Sequence, residues 1–259
     1  MVVYKGFGLV AMGIIEQVPK RSTLNKYNQD KKITEMLHKL YKILAEPLAD
    51  IENYFAVDAT GISNAYGNDR WIKVRHTKEE MKRARTYNKL HVVSGCKTNV
   101  ICSAKVTKGT SHESPYFKTL LDDTAQFFTL REVTADAGYL SRENVKAIVQ
   151  HGAAPFIMGK KNVHVPRNGN SSWDLMLRLW KKHQMFFAEH YHRRSNVEAT
   201  FSAIKRKFGD FCRSKKPESQ ENEILAKIVC FNASVLSEAM LTYDLRRGFL
   251  NPLMNEVMG

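Results

Sequence analysis

The sequence predicts an α/β domain, and three observations carry that prediction. Short apolar runs of strand type alternate with segments of helical period over most of the chain. Two of those runs lead into an aspartate, Asp58 and Asp136. A third segment, Tyr191 to Lys205, sets cations and one glutamate at helical spacing. A length of 259 residues suits one substantial domain with additions, or two small ones. A hydrophobic fraction of 43% is ordinary for a soluble globular protein.

In chain order, residues 1 to 29 give little, and Pro19 to Asn28 is polar. Ile33, Met36, Leu37, Leu40 and Leu44 have helical spacing, and Pro47 closes that helix, which reads as packed on the core. Ile51 to Ala59 reads as a buried strand ending at Asp58, followed by a turn-rich loop over Gly61 to Asp69. Trp71 to Arg75, Leu90 to Gly95 and Asn99 to Val106 are further strand candidates, with a charge-dense stretch from Lys78 to Lys89. Thr110-Ser-His-Glu113 has capping-box spacing and predicts a helix carrying Phe117, Leu120, Leu121 and Phe127. Val133 to Asp136 is a short strand. Ser141 caps a helix to Gln150 that stops at Gly152, and Ala154 to Met158 is the next strand. After a basic loop, Gly159 to Asn170, Ser171 caps a helix with Trp173, Met176, Leu177 and Trp180 on one face. Ile224, Leu225, Ile228, Val229, Val235 and Leu236 describe a C-terminal helix.

Lys plus Arg number 40 against 26 acids, a formal charge of +14, which fits a polyanionic partner, nucleic acid first. The cations cluster as Lys181-Lys182, Arg193-Arg194, Lys205-Arg206-Lys207 and Arg213 to Lys216, all near the glutamate helix. One such run is usually a solvated face; several beside one carboxylate helix favour a phosphate channel. The cysteines, Cys96, Cys102, Cys212 and Cys230, form no Cys-x-x-Cys pair and no zinc spacing. Cys102 and Cys230 read as small core side chains, and a reduced cytosolic compartment is expected. No run of about 18 apolar residues is present to cross a membrane, and Gly6 to Ile15 lacks a cleavage site for a signal peptide.

Tyr191, Arg194, Glu198 and Lys205 stand at offsets 0, 3, 7 and 14. On one helix at about 100° per residue they share an arc of about 60°. Val197, Phe201, Ile204 and Phe208 fall on the adjoining stripe. One edge can therefore meet a phosphate or metal while its neighbour packs on a core.

The Tyr-x2-Arg-x3-Glu-x6-Lys spacing resembles the motif of DDE transposases encoded by insertion sequences. Tyr54-Phe-Ala-Val-Asp58-Ala-Thr-Gly61 resembles that family's first-aspartate strand, and Val133-Thr-Ala-Asp136-Ala-Gly-Tyr139 its second. Lys89-Leu-His91, Thr107 and Lys205-Arg-Lys-Phe-Gly209 are smaller echoes. The resemblance covers roughly residues 20 to 240 in the family's order. It implies a ribonuclease-H-like mixed five-stranded sheet flanked by helices, its first three strands antiparallel, with helical N- and C-terminal additions. The implied organisation is a helical segment over 1–50, a catalytic domain over 51–245 and a tail over 246–259. It further implies catalysis and metal binding by Asp58, Asp136 and Glu198, and DNA contacts by Tyr191, Arg194 and Lys205. Relatives usually carry a longer helical N-terminal region that recognises the element's ends; only 57 residues precede Asp58, so a shortened one is expected.

Three gathered carboxylates repel unless cations neutralise them, and hard Mg²⁺ (or Mn²⁺) with oxygen ligands does so. Two ions about 4 Å apart would activate a water or 3′-hydroxyl for attack at a phosphodiester. The expected partners are element ends and target DNA, met by a homodimer in a synaptic complex, in the cytoplasm at the nucleoid. Each residue also has a plainer reading. Asp58 and Asp136 precede turn-type sequence; Arg194 and Lys205 suit surface ion pairs; Tyr191 suits a core. Asp69, Asp122 and Asp123 are rival acids better explained by solvated positions. Trp173 and Trp180 are candidates for base stacking, though their spacing favours packing. The alternatives to a transposase are a truncated DNA-binding derivative without catalysis, acting as a regulator, and a ribonuclease-H-like nuclease.

Overall fold

The structure, a computed structural model, describes residues 17, 19–64, 87–165, 168–243 and 245. The Trp71 to Arg75 strand, most of the charged stretch after Lys78, Asp69, the segment Gly6 to Ile15 and the 246–259 tail lie outside the described residues.

The elements are α1 (Arg21–Tyr27), α2 (Lys31–Ala45), β1 (Tyr54–Ser63), β2 (Tyr87–Gly95), β3 (Ile101–Lys108), α3 (Ser114–Thr124), β4 (Glu132–Ala135), α4 (Arg142–Gln150), β5 (Ala154–Ile157), α5 (Ser172–Lys182), α6 (Gln184–Tyr191), α7 (Ser195–Phe208) and α8 (Pro217–Thr242). The sheet has five strands in the order β3-β2-β1-β4-β5. β1, β2 and β3 pair antiparallel, whereas β4 joins β1, and β5 joins β4, in parallel. This is the mixed, helix-flanked ribonuclease-H-like sheet that the sequence predicts. The local reason is plain: β1 is an apolar run with Phe55, Ala56 and Val57 fully buried, and β2 and β3 supply Val92, Val93 and Ile101 to the same core.

Sequence signs hold at several helix ends. Ser141 accepts from Asn144 N, and Ser171 forms a complete capping box with Asp174. Gly152 and Gly209 have φ of 75° and 85°, a conformation that suits glycine after a helix. Other expectations are corrected. β1 runs through Asp58 to Ser63, so Gly61 to Ser63 is strand rather than loop. The backbone there is held from outside the sheet order: Ser63 N donates to Asp210 O, and Cys212 N to Ser63 O. The Thr110 capping box is not used. α3 starts at Ser114 with Pro115 in its first turn, because proline's fixed φ and missing N–H suit that position. Phe127 falls beyond α3 and is exposed.

α2 and α8 pack on each other and on the outer strand β3. An edge strand offers unpaired N–H and C=O groups, and here side chains answer them. Asn232, fully buried on α8, accepts from Ile101 N and donates to Ile101 O and Tyr41 O. The Tyr41 hydroxyl accepts from Ala104 N at 3.2 Å. Among the described residues α8 is long and apolar enough by composition to cross a membrane, but its burial pattern is that of a core helix. Ile224, Leu225, Ile228 and Val235 are buried, and Lys227 in its middle donates to Gly209 O and Phe211 O. Cys230 points to solvent from the same helix, so it is not the core side chain expected; Cys212 is buried instead, and all four cysteines are free thiols.

Candidate active site

Parallel pairing brings the two aspartates together. Val57 on β1 is in register with Ala135, the last residue of β4. The next residue on each strand is therefore the acid, and Asp58 and Asp136 stand at one level where β4 ends. Asp58 lies within β1 rather than at its end, because β1 continues alongside β2, pairing Asp58 with Val92. Asp136 caps the short 3-10 turn Ala137–Tyr139, its Oδ1 accepting from Gly138 N at 2.7 Å. The turn reading of Asp136 and its place beside Asp58 are both realised.

The motif segment is not one continuous helix. Tyr191 ends α6, His192–Arg194 form a 3-10 turn, and α7 begins at Ser195. The residues nonetheless converge, since α7 crosses the face of β1 and β2 that bears Asp58, Thr60 and Ser94. Val197, Phe201 and Ile204 are buried against it, and Thr200 Oγ1 shares a hydrogen bond with Ser94 Oγ. Arg194 Nη1 donates to Asp58 Oδ2 at 2.7 Å and its Nη2 to Glu198 Oε1 at 2.6 Å. Lys205 Nζ donates to Thr60 Oγ1 at 2.7 Å. The Tyr191 ring flanks the Arg194 guanidinium at 5.9 Å. The 3-10 turn also splits its two arginines: Arg193 stacks over Tyr54 at 4.1 Å and pairs with Glu132, which also meets His190 at 2.9 Å. That anchor holds the turn so that Arg194 faces Asp58.

Burial raises the Asp58 carboxyl from its ordinary 3.8 to about 6; the Ala59 N–H and Arg194 oppose the rise, while Asp136 and Glu113 add to it. Burial also pushes the Tyr191 phenol up; Arg194 opposes this, and Asp136 and Asp58 reinforce it. Glu198 is different: its side chain is 58% exposed, against 14% for Asp58. It sits at the rim, one guanidinium away from Asp58.

Among the described residues, no three His, Cys, Asp or Glu side chains stand close enough to hold a metal ion as they are. Arg194 occupies the space between Asp58 and Glu198. The chemistry of the donors still fits a hard divalent cation: they are carboxylate oxygens, and burial makes the charge on Asp58 costly to hold. The fully buried Tyr139 hydroxyl beside these acids has no hydrogen-bond partner, a sign of an unbalanced polar spot.

Sequence reasoning missed several neighbours. Lys89, an echo without a role, donates to Glu113 Oε1 at 3.1 Å and to Ser111 O at 3.0 Å. The sign available was Pro115, which moves the helix start past Glu113 and frees that side chain. His91 is fully buried beside Tyr116, its Nε2 sharing a hydrogen bond with Thr107 Oγ1; burial, then Lys89, lowers it to about 4, so it is a neutral core histidine. Asp122 pairs with Lys118 and His151, and Asp123 with Lys42, away from the site. Trp173 and Trp180 pack partly buried against the core.

A mixed sheet that sets Asp58 level with Asp136 beneath a cation-bearing helix defines an α/β protein with an acidic site covered by basic side chains. The family model described as transposase DDE domain matches residues 51–233, and the chain belongs to that family. It is thus a transposase-type enzyme whose substrate is DNA, from a family generally dependent on divalent metal. A search of curated proteins gave no match.

Proposed function

We propose that the protein cuts and rejoins DNA at the ends of an insertion sequence, by metal-dependent hydrolysis followed by strand transfer. Asp58, Asp136 and Glu198 are the catalytic, metal-binding acids in this reading. Tyr191, Arg194 and Lys205 bind the DNA backbone. The observation that carries it is the β1–β4 register, Val57 with Ala135, which sets Asp58 level with Asp136 beneath the arginine that reaches Glu198.

The residues do the following work. In the DNA-free protein Arg194 neutralises Asp58 and Glu198. An incoming phosphate offers the guanidinium two acceptor oxygens, so Arg194 exchanges carboxylates for DNA. Lys205 leaves the weaker neutral partner Thr60 for a second phosphate, and the Tyr191 hydroxyl hydrogen-bonds the same backbone. The three acids would then hold Mg²⁺ or Mn²⁺, two ions in the full reading, which would supply Lewis acidity for the phosphodiester chemistry. Cleavage exposes a 3′-hydroxyl, and transfer forms a new phosphodiester to target DNA as the target's own bond breaks. Two element ends call for a homodimer in a synaptic complex. The reading assigns residues 51–245 to catalysis and the helices α1 and α2 before them to a part in recognising element ends, with the protein acting at the nucleoid in the cytoplasm.

The test is cleavage of the gene's own flanking DNA with Mg²⁺ or Mn²⁺, beside Glu198→Gln. Metal-dependent nicking at a repeat end, lost in the variant, is expected. Cutting that survives Asp58→Ala, Asp136→Ala and Glu198→Ala would sink the assignment. DNA binding without cleavage in either metal would instead indicate a regulator, and preference for RNA–DNA hybrid a ribonuclease-H-like nuclease.

A further inference from the structure

Of the two adjacent arginines in the turn before α7, only one faces the acids. Arg194 reaches Asp58 and Glu198. Arg193 turns the other way, over the Tyr54 ring and onto Glu132. Tyr54 on β1 and Glu132 on β4 are themselves in register, and four residues further along stand Asp58 and Asp136. One turn therefore meets both acid-bearing strands through Arg193, and the Asp58 level, ~13 Å farther on at the ordinary rise of a strand, through Arg194.

Glu132 is enclosed. Its side chain is 14% exposed, as little as that of Asp58. His190 meets its Oε2 at 2.9 Å, and the His190 ring stacks on Phe156 of β5 at 4.6 Å. The Arg193 carbonyl is held as well, accepting from the Cys96 thiol at 3.7 Å. The plainer reading is an ion pair that ties β4 to the rest of the sheet. The backbone already does that: Arg131 N donates to Asn53 O at 2.8 Å, and the two strands pair from Tyr54 to Val57. What the strands leave open is the turn. His192–Arg194 is one short 3-10 piece, a form with poorer hydrogen-bond geometry than an α-helix. The Arg194 fork is aimed by where that turn stands. Resting on the acid-site reading above, we propose that Glu132 and Arg193 are positioning residues for the DNA reaction. Their buried pair sets the turn so that Arg194 meets Asp58 in the free protein and the phosphate in the complex. Arg193 itself contacts no phosphate, although it stands in a run of cations.

The experiment uses the full chain and two readouts. The first is a double-mutant cycle in urea unfolding, without DNA or metal, between Glu132→Gln and Asp58→Asn. Glutamine keeps the shape but releases Arg193. Arg194 then no longer answers Asp58, so Asp58→Asn should stabilise the Glu132→Gln protein more than it stabilises wild type. The expected coupling is at least about threefold in the unfolding constant, where distant sites without a shared partner agree within about twofold. Glu143→Gln, exposed on α4, should show none. The second readout is cleavage of the gene's flanking DNA with Mn²⁺ at saturating DNA. Glu132→Gln should slow it about 100-fold, the scale of a 1 Å misplacement, with DNA affinity changed less than about threefold. Additive unfolding shifts, or coupled shifts with cleavage at the wild-type rate, overturn the proposal. Coupled shifts in a protein that cuts no DNA would keep the positioning of Arg194 and sink the acid-site reading instead. Should Glu132→Gln fail to fold, Arg193→Lys keeps the charge but loses the planar fork; an additive cycle there overturns the proposal equally.

Discussion

Replacing Asp58 by asparagine should make the metal-free protein more stable at neutral pH, although a buried, hydrogen-bonded side chain is altered. The Asp58 carboxyl is raised from 3.8 to about 6, chiefly by burial. At about 1.4 kcal/mol per pH unit, holding its charge above both values costs up to ~3 kcal/mol. The sign is fixed by linkage. The folded value exceeds the unfolded one, so between 3.8 and about 6 the folded protein holds more protons. Its stability therefore falls as pH rises through that window, and the penalty is complete above it. Asparagine keeps an oxygen for the Ala59 N–H, which Asp58 Oδ1 accepts at 2.8 Å, and Arg194 keeps Glu198. It loses the Arg194 bond at Oδ2, so the net gain should be about 1–2 kcal/mol, or about 2–6 °C in melting temperature. The assay is thermal or urea unfolding of both proteins in chelator, from pH 4 to pH 8. The variant's advantage should grow as pH rises from about 4 to about 6, level off above that, and vanish near pH 4. A variant less stable than wild type at pH 7.5, or a difference flat with pH, would refute the claim that Asp58 is held under electrostatic strain. Such strain is what a site awaiting a cation has to carry.

Other outcomes test the scaffold. Asn232→Leu should cost about 3 kcal/mol in chemical unfolding, because the Ile101 N–H and C=O and the Tyr41 carbonyl lose their buried partner together; a loss under about 1 kcal/mol would mean that the β3 edge finds water instead. Gly159→Ala should destabilise by about 2 kcal/mol, since the added Cβ would meet Trp180 Cδ2 at 2.5 Å; unchanged stability would show that α5 slides freely over that loop. Lys205→Ala should flatten the dependence of log DNA affinity on log salt by about 1, with little change in melting temperature; an unchanged slope would leave Lys205 a partner of Thr60 only.

Much of the architecture was legible from local pattern. The apolar runs at Phe55 to Val57, Val92-Val93 and Val133 to Ala135 read as buried strands, and Ser141, Ser171 and Gly152 marked helix ends through backbone geometry that residue type dictates. The spacing of Arg194, Glu198 and Lys205 was equally visible, because α7 is regular through Glu198 and Lys205. What sequence could not decide depends on partners far along the chain. Whether Asp58 meets Asp136 is set by the register of two parallel strands. Whether Arg194 is free is set by a carboxylate 136 residues away. The turn at His192–Arg194 broke the expected single helix because Glu132, on another strand, takes Arg193 and His190. Glu113 looked like half of a capping box until Pro115 placed the helix start and Lys89 claimed its side chain. The sequence by itself determined the elements and the types of chemistry present, since both follow from local sterics, periodicity and functional groups. Only the tertiary structure decided which charges face one another, because burial and long-range pairing, not composition, set the field at Asp58.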